Sequence, residues 1–390
     1  MTAPPQTDPA TPYWRLSGFY FFYFASLGVL VPYWPLYLKS LGFTPSAIGE
    51  LMALVMATKI IAPNVWGWIA DHTGRRMMIV RGGSLLAVLC FAGVFFGQHY
   101  WWMVMVMGAF SFFWNATLPQ FEATTFTHLG ENSHQYSSIR LWGSIGFVIA
   151  VAILGTALED RGAGIVPVFL IALFAGIWLI SLIVPERAAG HLQLDKDSIF
   201  KVIRRPEVGA LIVVVFLMQA SHGPFYTFYS IYLEDHGYSK IWIGWLWALG
   251  VIAEIVVFMF MHRLIPRFGL RKLLMFSLLV AAVRWLLLGE YVDSLGMMLF
   301  VQVCHAATFG IFHAVSIHYF HLHFTGAHQG RGQALYSSMS FGAGGALGAL
   351  LGGYAWTSLG PGMTYNIAAL LAALAIVISW RFIREPLVAA

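Results

Sequence analysis

Charge is what this sequence has least of. Asp, Glu, Lys and Arg together make up 10% of its 390 residues, where a water-soluble domain carries about 25%. Apolar residues take 59%, so there is too little polar surface to coat a globule in water, and an ordinary soluble domain is excluded. Cysteine is nearly missing as well. Cys90 and Cys304 are the only two, both inside apolar runs, which excludes a disulfide framework and a cysteine-based metal site. The start, MTAPPQTDPATPYWR, is polar and proline-rich and leads into apolar runs without the pattern of a cleavable signal. The net charge of +5 raises the question of nucleic acid. The basic residues, however, sit in short loops between apolar runs, where they serve to orient a membrane protein, and no nucleic-acid partner is expected.

What the sequence does have is apolar runs of membrane length, each about 20 residues. Twelve are expected, near 16–38, 47–69, 78–97, 101–125, 138–157, 164–185, 207–231, 241–263, 273–290, 296–320, 333–355 and 363–381. In lipid the backbone must satisfy its own hydrogen bonds, so even the aromatic-rich FYFFYFASLG reads as helix and not as strand. With both termini in the cytoplasm, fifteen of the 22 Lys and Arg fall on that side. Only Lys39, Arg161 and Lys240 fall outside, and Lys59, Arg81, Arg140 and Arg284 fall within apolar runs. This bias sets the orientation and requires an even number of spans. The polar stretch around 186–206 separates a six-helix unit at 1–185 from another at 207–390. A constant shift of 195 residues superposes Tyr37, Leu38, Gly42, Ile48, Gly49, Leu51, Ala53, Leu54, Gly74 and Arg76 on the same residue types. The expected fold is therefore an all-α integral membrane protein: twelve transmembrane helices in two pseudo-symmetric, parallel six-helix bundles with a site between them.

The loop after the second span reads Gly67-Trp-Ile-Ala-Asp71-His-Thr-Gly74-Arg75-Arg76. Positive-inside charge alone accounts for Arg75 and Arg76, but not for Asp71 or the glycines. The loop resembles the G-x-x-x-D-x-x-G-[RK]-[RK] motif of the major facilitator superfamily. That resemblance implies the major facilitator fold, and implies a conformational gate at Gly67, Asp71, Gly74, Arg75 and Arg76. A second copy, Arg263 to Lys272, has Pro266 at the acidic position.

Ionisable residues inside spans cost roughly 2.5–3.5 kcal/mol each on insertion scales, so they face a cavity or a partner. Lys59 and Glu254 are related by the 195-residue shift and sit mid-span in helices two and eight. Arg284 is mid-span in nine. Glu122 and Arg140 share a depth on antiparallel helices four and five and are placed to pair, with snorkelling to the interface as the alternative. Arg81 is close enough to the cytoplasm to snorkel. His305 and His313, eight apart, share one helical face, and histidine suits proton coupling. His222 is a weaker candidate of the same kind. A carboxylate in a low-dielectric setting holds a proton more readily than one in water, which makes Glu254 the first choice for the coupling proton, ahead of Glu122, His305 and His313. His318, His321, His323 and His328 have no metal-site spacing, and neither a metal nor an organic cofactor is expected.

Further residues narrow the resemblance. These are the Phe/Tyr-rich first helix ending in Pro32-Tyr-Trp34-Pro35, Phe121-Glu122-Ala eighteen residues before Arg140-Leu-Trp-Gly143, and Val283-Arg284 fifteen after Gly269. Together they resemble the proton symporters of the lactose permease and 3-phenylpropionic acid transporter branch. The resemblance implies that Glu122 and Arg140 contact substrate and that Arg284 takes part in coupling. No acid occurs in 296–321, and Glu254 falls about a turn later than the branch's helix-eight acid. Lys59, Arg140 and Arg284 against Glu122 and Glu254 leave one positive charge over. Tyr20, Tyr23, Trp34, Trp114, Phe225, Tyr226 and Phe309 can supply an aromatic wall. Lys59, Glu122, Arg140, Trp34 and Arg284 are thus expected to bind an aromatic carboxylate, taken up with protons by a monomer in the bacterial inner membrane. A sugar or nucleoside symporter, an exporter and a non-transporting nutrient sensor are the alternatives.

Overall fold

The computed structural model describes residues 11–187 and 199–386, and every regular element in them is helical. The first half contains α1 (Tyr13–Ser40), α2 (Pro45–Thr73), α3 (Arg76–Phe91), α4 (Tyr100–Leu129), α5 (Tyr136–Arg161) and α6 (Val166–Ile183). The second contains α7 (Pro206–Asp235), α8 (Lys240–Phe268), α9 (Leu270–Glu290), α10 (Leu295–His323), α11 (Gln329–Leu359) and α12 (Pro361–Phe382). A five-residue helix, Ile199–Ile203, precedes α7. Most of the expected 186–206 linker, with Lys196, lies outside the described residues.

Among the described residues, eleven continuous helical runs are long and apolar enough to cross a membrane, and one of them, Tyr100–Arg161, has 62 residues. Straight, it would extend about 90 Å, three times a hydrocarbon core of about 30 Å. It is broken instead by a 3₁₀ segment at Gly130–Gln135, where Gly130 has φ 51°. Beyond the break the chain doubles back, with the Tyr136 ring stacked on Phe126 at 4.5 Å, and α5 packs along α1. The run therefore crosses twice, and the described residues make twelve crossings.

The internal repeat is visible down to the helix ends. Shifted by 195, α2 falls on α8 residue for residue. Thr44 caps α2 by accepting from the Ala47 amide, and Ser239 caps α8 by accepting from Trp242, each satisfying a first-turn N–H that has no partner within the helix. The turns before them hinge on Gly42 (φ 85°) and Gly237 (φ 80°), a backbone conformation that side chains resist.

The two halves meet along two matching seams, α2 against α11 and α5 against α8. A Cβ on Gly49 would lie 2.7 Å from the Ala349 oxygen, and one on its repeat mate Gly244 would lie 2.8 Å from the Val151 oxygen. Both seams sit toward the face formed by the turns at 41–44 and 236–239, here called the far face. The opposite, terminal face carries the start of α1, the end of α12 and the loops that follow α2 and α8. Within the second half, α7 and α11 touch backbone to backbone, since a Cβ on Gly223 would lie 2.2 Å from the Gly348 carbonyl carbon. Gly223→Ala must push those helices apart. It is expected to cost about 1–3 kcal/mol, read as a lower unfolding temperature in detergent. Gly82→Ala, whose Cβ would meet nothing within 4 Å, should leave that temperature unchanged.

Candidate functional site

Lys59 and Glu254 are each the central residue of a 29-residue helix. They are half-buried, neither sealed in a core nor free on the surface. The repeat thus places opposite charges at equivalent depth on opposite halves. Lys59 makes no hydrogen bond or ion pair with any described residue. Its neighbour Thr58 is engaged, accepting from Asn115 Nδ2 at 2.8 Å.

In the second half the polar groups form a connected chain. Arg284 is fully buried. Its Nε donates to the Val301 carbonyl at 2.9 Å, and its Nη1 donates to Thr308 Oγ1 at 3.0 Å and to His305 Nδ1 at 3.1 Å. Its guanidinium carbon lies 4.3 Å from the Phe225 ring centre and 4.6 Å from that of Trp285, so aromatic faces cover the charge that hydrogen bonds leave. An arginine can only donate, so His305 Nδ1 is the accepting nitrogen and the ring carries its hydrogen on Nε2. That Nε2 points at Glu254 Oε2, 3.8 Å away. His222 joins the same group, its Nε2 3.4 Å from Thr308 Oγ1.

Helix α10 makes this possible by departing from regular geometry. Residues Ala306–Ile311 form a π-helical turn, a distortion that concentrates at functional sites. Across it His305, Phe309 and His313 stack as a column, with ring centres 5.5 and 5.4 Å apart. The shared face expected from their spacing is present, with an aromatic ring between the two histidines. His313 Nδ1 is 2.7 Å from the Tyr336 hydroxyl.

In the first half, Glu122 and Arg140 are neighbours but no ion pair joins them. The Tyr136 hydroxyl, one turn before Arg140 on α5, reaches Glu122 Oε1 at 3.2 Å. Arg140 settles over Phe24, its Cζ 3.6 Å from the ring centre. Helix α4 also continues to Leu129, which sets Glu122 two turns from its end, deeper than expected. Arg140 lies within electrostatic reach of Glu254 and His313 of the other half, so these three side chains face the interior between the halves. Trp34 is elsewhere: fully buried against Tyr37 and Phe91 in the first half's own core, it has no part in this interior. Tyr20, Tyr23, Trp114 and Phe225 are likewise buried, whereas Tyr226 and Phe309 are half-buried.

The gate motif is assembled on the terminal face. Asp71 Oδ1 pairs with Arg76 Nη2 at 3.0 Å, and Arg76 Nη1 donates to Gln120 at 3.1 Å. Gly74 has φ 67° and closes α2 in the left-handed conformation. Gly67 is less constrained than expected, because a Cβ there would meet only Gln120 Nε2 at 3.6 Å, an ordinary contact. Arg81 does more than snorkel: it donates to the Ser181 and Val184 carbonyls at the end of α6. A carboxylate from a distant segment binds the start of the helix after each loop. Glu385 accepts from the Leu270 and Arg271 amides at 2.7 and 2.8 Å, and Glu186 does the same for Met77 at 3.1 Å in the first half. No sequence signal ties Glu385 to this loop; only the shared Pro/Glu/Arg content of the segments after α6 and α12 hints at it. No group of three or more metal-ligating side chains occurs among the described residues.

Three comparisons bear on this architecture. Residues 13–367 match the model of the MFS_1 like family. The chain is 29% identical, over 91% of its length and 94% of the relative's, to a probable 3-phenylpropionic acid transporter of Escherichia coli K12. It is 25% identical to a maltose permease of Geobacillus stearothermophilus over 86% of each chain. A crystal structure of a mutant of the nucleoside transporter NupG superposes with a TM-score of 0.85 at 15% identity, covering 95% of this chain and all of that one. That likeness shows the fold.

Glu385 holds two helix-start amides at once. Glu385→Ala is expected to cost about 1–2 kcal/mol, measured as a fall in the detergent unfolding temperature, and Glu385→Gln should recover part of it.

Proposed function

Because the chain belongs to the MFS_1 like family, we propose that it is a proton-coupled symporter that brings an aromatic carboxylate such as 3-phenylpropionate into the cell by alternating access. The coarser statement is direct: it is a multi-pass secondary transporter of a small molecule on the major facilitator fold, and not an enzyme. The observation that carries the finer reading is Lys59, a cation half-buried at the centre of its helix with no partner among the described residues. Glu122 is occupied by Tyr136, and Glu254 faces His305. An incoming carboxylate completes the charge balance that the protein leaves open. The half-buried Tyr226 and Phe309 rings offer an apolar surface to the rest of such a solute.

Glu254 carries the coupling proton in this reading. His305, held as its Nε2–H form by Arg284, presents that hydrogen to the ionised Glu254 carboxylate and so tunes its hold on the proton, with His313 and Glu122 as further proton-accessible groups. Arg140 and Arg284 hold the site positive from both halves. Protons entering with the anion offset its repulsion by an inside-negative potential. The Asp71–Arg76 loop, with Gly67, Gly74 and Arg75, gates the terminal face. That face is cytoplasmic by the distribution of Lys and Arg, in the inner membrane of a bacterium. The protein works as a monomer, with protons as coupling ion and no cofactor.

Glu122 beside the Tyr136 hydroxyl favours a second reading, a sugar or nucleoside symporter, since a carboxylate also suits solute hydroxyls. Unfolding temperatures of the purified protein with aromatic acids, their amides, sugars and nucleosides separate the two. The acids alone should stabilise it, and Lys59→Met should weaken their binding about tenfold. Stabilisation by the amides equal to that by the acids contradicts the carboxylate reading. Glu254→Gln should abolish proton-driven accumulation while leaving counterflow intact. Undiminished accumulation removes Glu254 from the proton path.

A further inference from the structure

Among the described residues, polar bonds join the two halves on one side. Lys39, at the end of α1, reaches Glu234 Oε2 at 2.7 Å and also Asp235, both at the end of α7. Lys39 and Glu234 are repeat mates, 195 apart, so the pair spans the pseudo-two-fold axis itself. Lys240 adds a second cation to Glu234 at 2.5 Å, and Glu159 of α5 accepts from the Lys240 amide at 2.7 Å. Over the other seam, Glu50 of α2 accepts from the Tyr354 hydroxyl of α11 at 2.5 Å, and from Tyr100 in its own half. Every one of these groups is on the far face. On the terminal face the corresponding bonds among described residues stay within one half: Asp71–Arg76, Glu186 to Met77, Glu385 to Leu270, and Glu207 to the Arg384 amide.

We propose that Lys39 with Glu234 and Asp235, and Glu50 with Tyr354, form two clasps that hold the far face shut and must break each time the central site opens toward it. Their strength suits the task. Lys39 and Glu234 keep about a third of their side-chain surface in water (34% and 28%), where such contacts contribute up to about fivefold in an equilibrium constant. That is enough to bias two states and too little to trap one. The clasps are independent of the gate motif, which lies on the opposite face.

The test is a distance measurement between nitroxide labels at Gln98→Cys and Asp293→Cys, with Cys90→Ser and Cys304→Ser removing the native thiols. These sites are repeat mates on exposed far-face loops, one in each half. The parent should show one short distance. Lys39→Ala combined with Tyr354→Phe should add a longer-distance population, raised about three- to tenfold over the parent, while Lys39→Arg keeps the parental distribution. The unfolding temperature of the same samples verifies folding. If the double variant does not fold, Tyr354→Phe alone, at a half-exposed position, carries the test. An unchanged distribution overturns the proposal, as does the same longer population in Lys39→Arg. No solute is present, so the outcome does not depend on which substrate is carried.

Discussion

The second half of the molecule is arranged around one guanidinium. Arg284 is fully buried within a bundle that lipid surrounds, and an uncompensated charge there is among the most costly things a membrane protein can contain. Its compensation takes the Val301 carbonyl, the Thr308 hydroxyl, the His305 ring and two aromatic faces. Each of those demands has a structural consequence. Val301 lies in the last regular turn before α10 widens, and the π turn that follows carries Thr308 and sets the His305–Phe309–His313 column. Because Arg284 claims Nδ1 of His305, the remaining hydrogen of that ring is aimed at Glu254. A structural necessity thereby fixes how the His305 ring faces Glu254.

The repeat explains how one architecture yields two chemically different halves. The backbone is copied down to cap residues and turn glycines, while charge is inverted at two equivalent positions, 39/234 and 59/254. At the far face the inverted pair meets across the axis and binds the halves to each other. Deeper, Lys59 and Glu254 do not meet, and each is left to act on whatever occupies the space between.

Much of this was legible from residue order. Helix number, the shift of 195, the Asp71 loop and the mid-span charges all follow from local pattern, because lipid forces every span to be a long apolar helix and makes each exception conspicuous. What was not legible depends on competition between neighbours. Equal depth suggested a Glu122–Arg140 pair, yet Tyr136 is one turn closer to Glu122 and Phe24 offers Arg140 a surface. Trp34 joined the aromatic wall by composition but packs inward on Phe91. Pro266 leaves the second loop without the acid of the first, and the carboxylate that does bind that loop's amides, Glu385, comes from more than a hundred residues away. The π turn leaves no trace in residue spacing, since the two histidines fall on one face with or without it.

The account stands on an anion and a proton sharing one central site. The direct test is proton movement in proteoliposomes that hold the purified protein and a pH-sensitive dye. With no imposed gradient, adding 3-phenylpropionate outside should bring protons in with the labelled solute, acidifying the interior, and the Glu254→Gln protein should lose that signal. Entry of labelled solute with no proton movement in the parent protein would contradict the account.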